Sequence, residues 1–366
     1  MKRNKVLLGL VVGLMTLAGG VASAQSGTQK DSIFHEVGPT NISGEVSSIV
    51  VDVRDTTGTS LFAGSVTGGL YYRSNKRDYV KNLYLALGRT DEQAERLADT
   101  SIWHYIPYRA NDREVVLPIS CMVQGPDGAL YFGTGDAFVQ STSNYSRMSA
   151  SGRGLFRFDP ESAQFTLLPE TSGSDFWAVN GIDYYYNSDN STMYLYAATP
   201  LGLYRWTVAN PSNVGNWLNA SPERIREGAV DEIKIARQLR LAYFSAPYEL
   251  FRIGDVAAAN VRVTRLTTTN EAFHAAQRIR LAVSPTDPTY VYAMTIDANG
   301  RMENVYLTTD QQHWSAIATS TVTPLLYTSG RHSGAMAVDP ANARRLIIAG
   351  DEIWIGQGYV PGALYQ

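Results

Sequence analysis

Apolar and polar positions along this chain fall into a short phrase that repeats. Its clearest copy is Val46–Asn75, VSSIVVDVRDTTGTSLFAGSVTGGLYYRSN. Val46–Val53 is β-branched and alternates, as a half-buried strand does. Asp55–Gly58 has turn chemistry, Leu61–Gly64 is a second apolar run, and Leu70–Arg73 is a third. Thr67-Gly68-Gly69 between the last two reads as a hairpin, because glycine enters φ > 0 at no steric cost.

The phrase returns five times. The second unit places strands at Ile119–Val123, Ala129–Gly133, Gly154–Phe158 and Gln164–Leu168. The third begins at Val179 and is expected to end on a strand at Val214–Leu218. The fourth is the least regular, with strands at Asp231–Ala236, Leu239–Ser245, Glu249–Ile253 and Val261–Thr267. The fifth uses Ile279–Ser284, Val291–Ile296, Asn304–Thr308 and Trp314–Ala318, and the sixth Gly334–Val338, Arg345–Ala349 and Glu352–Ile355. A spacing of about 45 to 70 residues between equivalent second strands fits four-stranded blades carrying loop insertions.

The expected fold is therefore an all-β propeller of about six blades. A lone four-stranded meander cannot bury both faces, whereas a ring of them can. Alternate residues such as Ile49 and Val51 should pack against neighbouring blades. The small pairs Ala63-Gly64, Gly133-Thr134 and Ala197-Ala198 should allow close approach near the axis. The sixth unit shows three strands. Either Ile33–Val37 supplies its fourth, or the chain is part of a longer protein with further blades. Within the first blade, Tyr79–Ser101 changes to a helical period. Leu83, Leu87, Ala94, Leu97 and Ala98 recur near 3.6 residues, and Thr90 is placed to cap a helix that opens Asp91-Glu92-Gln93.

Residues 1–24 read as a signal peptide rather than as fold: Lys2, Arg3 and Lys5 precede an apolar run, and Ala22-Ser23-Ala24 is a small-residue cleavage site. Residues 25–32 form a polar, flexible mature terminus, and 33–366 the propeller. No later run reaches the ~20 apolar residues of a membrane span. Export to the periplasm, the outer-membrane surface or the medium follows. A net charge of −3 gives no attraction to nucleic acid. Cys121 is the single cysteine, so stability must come from burial and sheet hydrogen bonds; it reads as a small core residue. The 22 Tyr, 11 Phe, 6 Trp and 31 Gly suit pleated surfaces joined by tight turns.

The stretches SIVVDVRDTTGTSLFAGSVTGGLYYRS, LAVSPTDPTYVYAM and MAVDPANARRLIIAG resemble the BNR or Asp-box propellers, which include sortilin-like and sialidase-like domains and many exported bacterial proteins. Thr308, Asp310 and Trp314 match the Asp-box, with Gln312 where that family has glycine and the Trp one residue early. The resemblance implies that Asp310 and Trp314 are structural, Asp bonding turn amides while Trp packs beneath.

Catalytic chemistry is sparse. A sialidase-like site would require converging arginines and a Tyr–Glu pair, and Arg252, Arg278, Arg280 and Arg331 show no such pattern in sequence. Asp127, Asp136, Asp183, Asp231, Asp297 and Asp351 all lie in or beside predicted turns. Asp136 and Asp351 follow second strands and could face the axis, which makes them the acid candidates if the protein is a glycoside hydrolase. Five scattered histidines give no metal-ligand spacing, and no cofactor motif occurs. The reading reached is a non-catalytic propeller that binds a protein or glycan of the cell envelope. Its contacts would lie on the long polar insert Thr134–Ser151, at Tyr145, Arg147 and Met148.

Overall fold

The structure is a computed structural model that describes residues 45–138, 151–266, 273, 276–319, 330, 334–350 and 353–357. Asp351, Tyr145, Arg147, Met148, Arg331 and the Ile33–Val37 segment lie outside the described residues. Among the described residues the strands form five four-stranded antiparallel sheets, one three-stranded sheet and a two-stranded ribbon. Blade one is β1 (Val46–Val51), β2 (Leu61–Ser65), β3 (Gly69–Arg73) and β4 (His104–Ile106). A ribbon of β5 (Tyr108–Ala110) and β6 (Arg113–Val115) follows, turning on Asn111 and Asp112, both at positive φ. Blade two is β7 (Ile119–Gln124), β8 (Leu130–Thr134), β9 (Leu155–Asp159) and β10 (Gln164–Leu167). Blade three is β11 (Gly181–Asn187), β12 (Thr192–Thr199), β13 (Gly202–Ala209) and β14 (Glu223–Glu227). Blade four is β15 (Glu232–Ala236), β16 (Leu241–Ala246), β17 (Glu249–Ile253) and β18 (Val263–Leu266). Blade five is β19 (Arg278–Val283), β20 (Val291–Ile296), β21 (Met302–Thr308) and β22 (Ser315–Thr319). Blade six is β23 (Ala335–Asp339), β24 (Asn342–Ala349) and β25 (Ile353–Gln357).

The first strands stand side by side: β1 against β7, then β11, β15, β19 and β23. They line the axis, and the apolar cores lie between successive blades. Phe62, Leu130, Phe132 and Phe156 fill the first gap. Tyr131, Leu195, Trp206 and Trp217 fill the second, and Tyr196, Ile233, Phe244 and Phe251 the third. Tyr243, Ile279, Tyr306 and Trp314 occupy the fourth, and Met294, Val305, Leu346 and Ile348 the fifth. Two glycines show why small residues are needed here. A Cβ on Gly64 would sit 2.5 Å from the Ile119 side chain, and one on Gly133 would sit 2.3 Å from that of Val179.

The helical insertion has α1 (Arg77–Ala86) and α2 (Asp91–Leu97). Thr90 caps α2, its hydroxyl accepting from the Gln93 amide while the Gln93 side chain accepts from the Thr90 amide. Arg77 ties the pair together by donating to Glu95 Oε1 and to the Ala98 carbonyl. Val80 and Leu83 are the buried residues of α1, and Leu83 joins the core between blades one and two.

Three sequence expectations fail. Val214–Leu218 is not a strand but a helix, α3, and β14 closes the blade instead. Asn213 caps that helix by accepting from the Gly215 amide, and Trp217 turns inward to donate to the Pro211 carbonyl. Burial of one indole at helical spacing outweighs the strand propensity of Val214. Ile49 and Val51 do not pack between blades: they are 58% and 49% exposed, on the face opposite Val50, which joins the core between blades one and two. Asp183 lies within β11 rather than beside a turn.

Candidate functional site: the axial channel

The inner strands enclose a polar channel of about 570 Å³ to which all six blades contribute. Its wall includes Ser47 and Ser48 from blade one, Ser120 and Cys121 from blade two, and Asn180 and Asp183 from blade three. Glu232, Lys234 and Arg237 come from blade four, Arg278 and Arg280 from blade five, and Gly334 and Ala335 from blade six. Asp136 and Phe138, from the loop after β8, stand over it.

Polar residues suit an inner strand because each can donate to the next blade. Ser47 Oγ donates to the Ile119 carbonyl at 2.5 Å, Ser120 Oγ to the Val179 carbonyl at 2.6 Å, and Asn180 Nδ2 to the Val230 carbonyl at 2.8 Å. Ser245 Oγ, one strand out, donates to the Ile279 carbonyl at 2.7 Å. These bonds staple blades one through five around the axis and satisfy carbonyls that the sheet ladders leave open.

The channel carboxylates are committed in the same way. Asp183 Oδ2 accepts from the Ile235 amide at 2.8 Å, and its Oδ1 accepts from the Tyr184 amide and from Arg237 Nη2 at 2.8 Å. Glu232 Oε2 accepts from the Leu281 amide at 2.9 Å. Lys234 Nζ lies 3.4 Å and Arg280 Nε 3.6 Å from the Glu232 carboxylate. Burial favours the neutral acid, but Arg280, Lys234 and the Leu281 amide outweigh it, so Glu232 is held below the usual carboxylate range. Asp136 Oδ1 accepts from the Phe138 amide at 2.7 Å. Arg278 is 4% exposed; burial and the neighbouring Arg280 bring its guanidinium down to about 9. Phe138 covers it, the ring centroid 3.4 Å from Cζ.

Cys121 is partly buried and packs against the core between blades two and three, as expected of a small core residue. Burial pushes its thiol up to about 11, and Sγ lies 3.5 Å from the Val179 carbonyl. It is a packing group and not a thiolate nucleophile. Among the described residues no cluster of three or more His, Cys, Asp or Glu could hold a metal ion, and no helix is long and apolar enough to cross a membrane.

Of the two acid candidates, Asp136 is among the described residues and lines the channel, as do Asp183, Arg278 and Arg280. The alternating pairs Glu232/Lys234 and Arg278/Arg280 were missed as wall residues. Their signal was local: charged residues two apart, separated by isoleucine, on strands whose other face is apolar.

The rim on the Asp136 side is formed by the loops after second strands and those entering first strands, which share one face of every blade. Among the described residues four large apolar side chains are exposed on these loops: Val116, Trp177, Leu201 and Tyr248. The roots of the long blade-two insert are on the same face. There the Gly152 amide donates to the Trp177 carbonyl at 2.6 Å, and the Arg153 amide to Thr134 Oγ1 at 2.7 Å.

Neither a protein-family model nor a curated protein sequence matches the chain. Among solved structures it is similar to the extracellular domain of a hybrid two-component system from B. thetaiotaomicron. That match has a TM-score of 0.53 at 12% identity, over 88% of this chain and 33% of that one. It is also similar to the Dos1 propeller, with a TM-score of 0.51 at 11% identity, over 89% of this chain and 73% of that one. The chain spans about a third of the B. thetaiotaomicron domain. At these identities the likeness is one of fold, and the fold is a β-propeller.

Proposed function

We propose that this is a non-catalytic binding propeller whose ligand enters the axial channel from the Asp136 face. The observation that carries the reading is the state of the channel acids. A glycosidase needs a carboxyl group that keeps its proton at working pH. Glu232 is instead held ionised by two cations and an amide, and Asp183 is engaged on both oxygens. A cavity of about 570 Å³ with a polar wall takes a sugar-sized group rather than a protein surface. The exposed Trp177 and Tyr248 rings on the same face suit stacking against a longer glycan. The reading retains Tyr145, Arg147 and Met148 as contact residues, since their loop is rooted beside the mouth. It also keeps export to the cell envelope or beyond, on the strength of the leader-like residues 1–24.

The same reading places the chain with the Asp-box propellers. In support, Asp310 Oδ1 accepts from the Gln312 and His313 amides at 2.9 and 2.8 Å, and Trp314 is buried against Tyr243 and Phe273.

A titration screen of envelope glycans against residues 25–366 tests the function. Saturable binding that weakens when residues 139–150 are deleted supports it. Binding untouched by that deletion removes Tyr145, Arg147 and Met148 as contacts, and no glycan binding contradicts the channel reading. The alternative is a carbohydrate-active enzyme using Asp136, favoured by that residue's place over the channel; glycan cleavage lost in Asp136→Asn would establish it.

A further inference from the structure

One side of the channel gathers three cations around a single buried carboxylate, Glu232. Arg278 and Arg280 occupy alternate positions of β19, and Lys234 lies on the adjacent inner strand β15. All three line the cavity. Their shared carboxylate is Glu232, and one of its oxygens already accepts from the Leu281 amide. Arg280 makes no hydrogen bond among the described residues: its Nε is buried without an acceptor, and Glu232 at 3.6 Å is its ion-pair partner. A guanidinium carries five N–H donors in a fork that matches an oxyanion. Leaving the buried Nε unmet is costly unless something arrives to accept it. Asp183 cannot, because it is occupied by Arg237 and two amides. Asp136 and Asp231 act on Arg278.

We propose that the Arg280–Lys234 side of the channel is an oxyanion subsite, and that the ligand is an acidic glycan whose charged sugar enters the channel. This rests on reading the channel as the binding site. The oxyanion, a uronate carboxylate or a sulfate ester, accepts from Arg280 with Lys234 beside it, while Ser120 and Asn180 line the same channel. The cation pair then selects acidic sugars over neutral ones of the same size, because only a charged sugar brings an oxyanion to Arg280 and Lys234.

Isothermal titration of residues 25–366 with a trigalacturonate, a sulfated galactobiose that has no uronate and a neutral galactotriose tests this. The expected result is saturable binding of at least one acidic probe, with the neutral probe weaker by roughly tenfold or more, as loss of a charge-assisted hydrogen bond implies. Arg280→Gln should weaken the acidic probe by a similar factor and narrow its advantage over the neutral one. Lys234→Gln, at a half-exposed position, gives the same readout if the first variant does not fold. Comparison of the uronate and sulfate arms identifies the oxyanion. Equal affinity for acidic and neutral probes, or wild-type affinity in the folded variant, overturns the subsite but leaves the channel reading standing. No binding of any probe by the wild type overturns the subsite, and if the broader envelope-glycan screen is also blank, the channel reading falls with it.

Discussion

Phe138, on the loop that leaves blade two, lies over the guanidinium of Arg278 on blade five, with Cζ 3.4 Å from the ring centroid. The contact spans the channel between blades that share no core. A desolvated cation on an aromatic face contributes about 0.5–2 kcal/mol. Phe138→Ala should therefore lower the stability of the ring by about that amount, measured as the urea midpoint at constant m-value. An unchanged midpoint would show that the two residues meet without consequence for folding.

Blade two carries a buried ion pair with its own hydrogen-bonded phenol. Arg157 Nη2 donates to Asp127 Oδ2 at 3.0 Å, and Tyr131 Oη donates to the same oxygen at 2.9 Å. The two charged side chains are 6% and 2% exposed. Removing one partner strands the other charge in the interior. Arg157→Met should cost about 3–5 kcal/mol, while Asp127→Asn with Arg157→Met together should cost less than the first alone. A double variant weaker than the single would contradict this.

His104 joins the helical insertion to β4: its Nδ1 pairs with the Tyr84 hydroxyl at 2.9 Å, and its Nε2 meets the Asp99 carbonyl. Burial lowers its folded pKa, outweighing the Asp99 contribution. Below the unfolded value of about 6.5 the unfolded chain then binds more protons than the folded one. Stability from the neutral ring is present above that pH and is lost as pH falls toward the folded pKa. The melting temperature should decline between pH 7 and pH 5, and His104→Gln should flatten that limb. A second fall is expected below about pH 4, where Asp52 and Glu232 protonate in the unfolded chain while, depressed in the fold, they are still ionised there. An identical slope in His104→Gln would remove this histidine from the acid response.

Tyr248 sits in the β16–β17 turn at φ 66° and is 41% exposed. A bulky residue in the left-handed region is strained, and Asn tolerates it better. Tyr248→Asn should gain about 0.5–1 kcal/mol of stability. If the ring is a contact on the channel face, the same variant should bind glycan more weakly. A gain in stability with unchanged affinity would leave the strain without a binding role.

The blade grammar was legible because it is local. Gly69 at φ 87° makes the hairpin that Gly68-Gly69 announced, and Thr90 caps α2 as its spacing to Gln93 required. The Asn111-Asp112 turn carried the same kind of signal and was passed over. The Val214–Leu218 error arose because Trp217 is drawn inward by the Pro211 carbonyl and the Tyr131 ring, neither visible in a five-residue window. The channel was harder still. Glu232 and Arg280 are on different blades and meet because the ring turns both first strands toward one axis, and no spacing in the chain encodes that meeting.

The most direct test of a binding rather than a cleaving channel is to recover the ligand. The protein is saturated with the tightest glycan from the screen, held at pH 5 and pH 7, and the glycan is weighed by mass spectrometry. The account predicts intact glycan at both pH values. Shortened products that vanish in Asp136→Asn would contradict it and make the channel an active site.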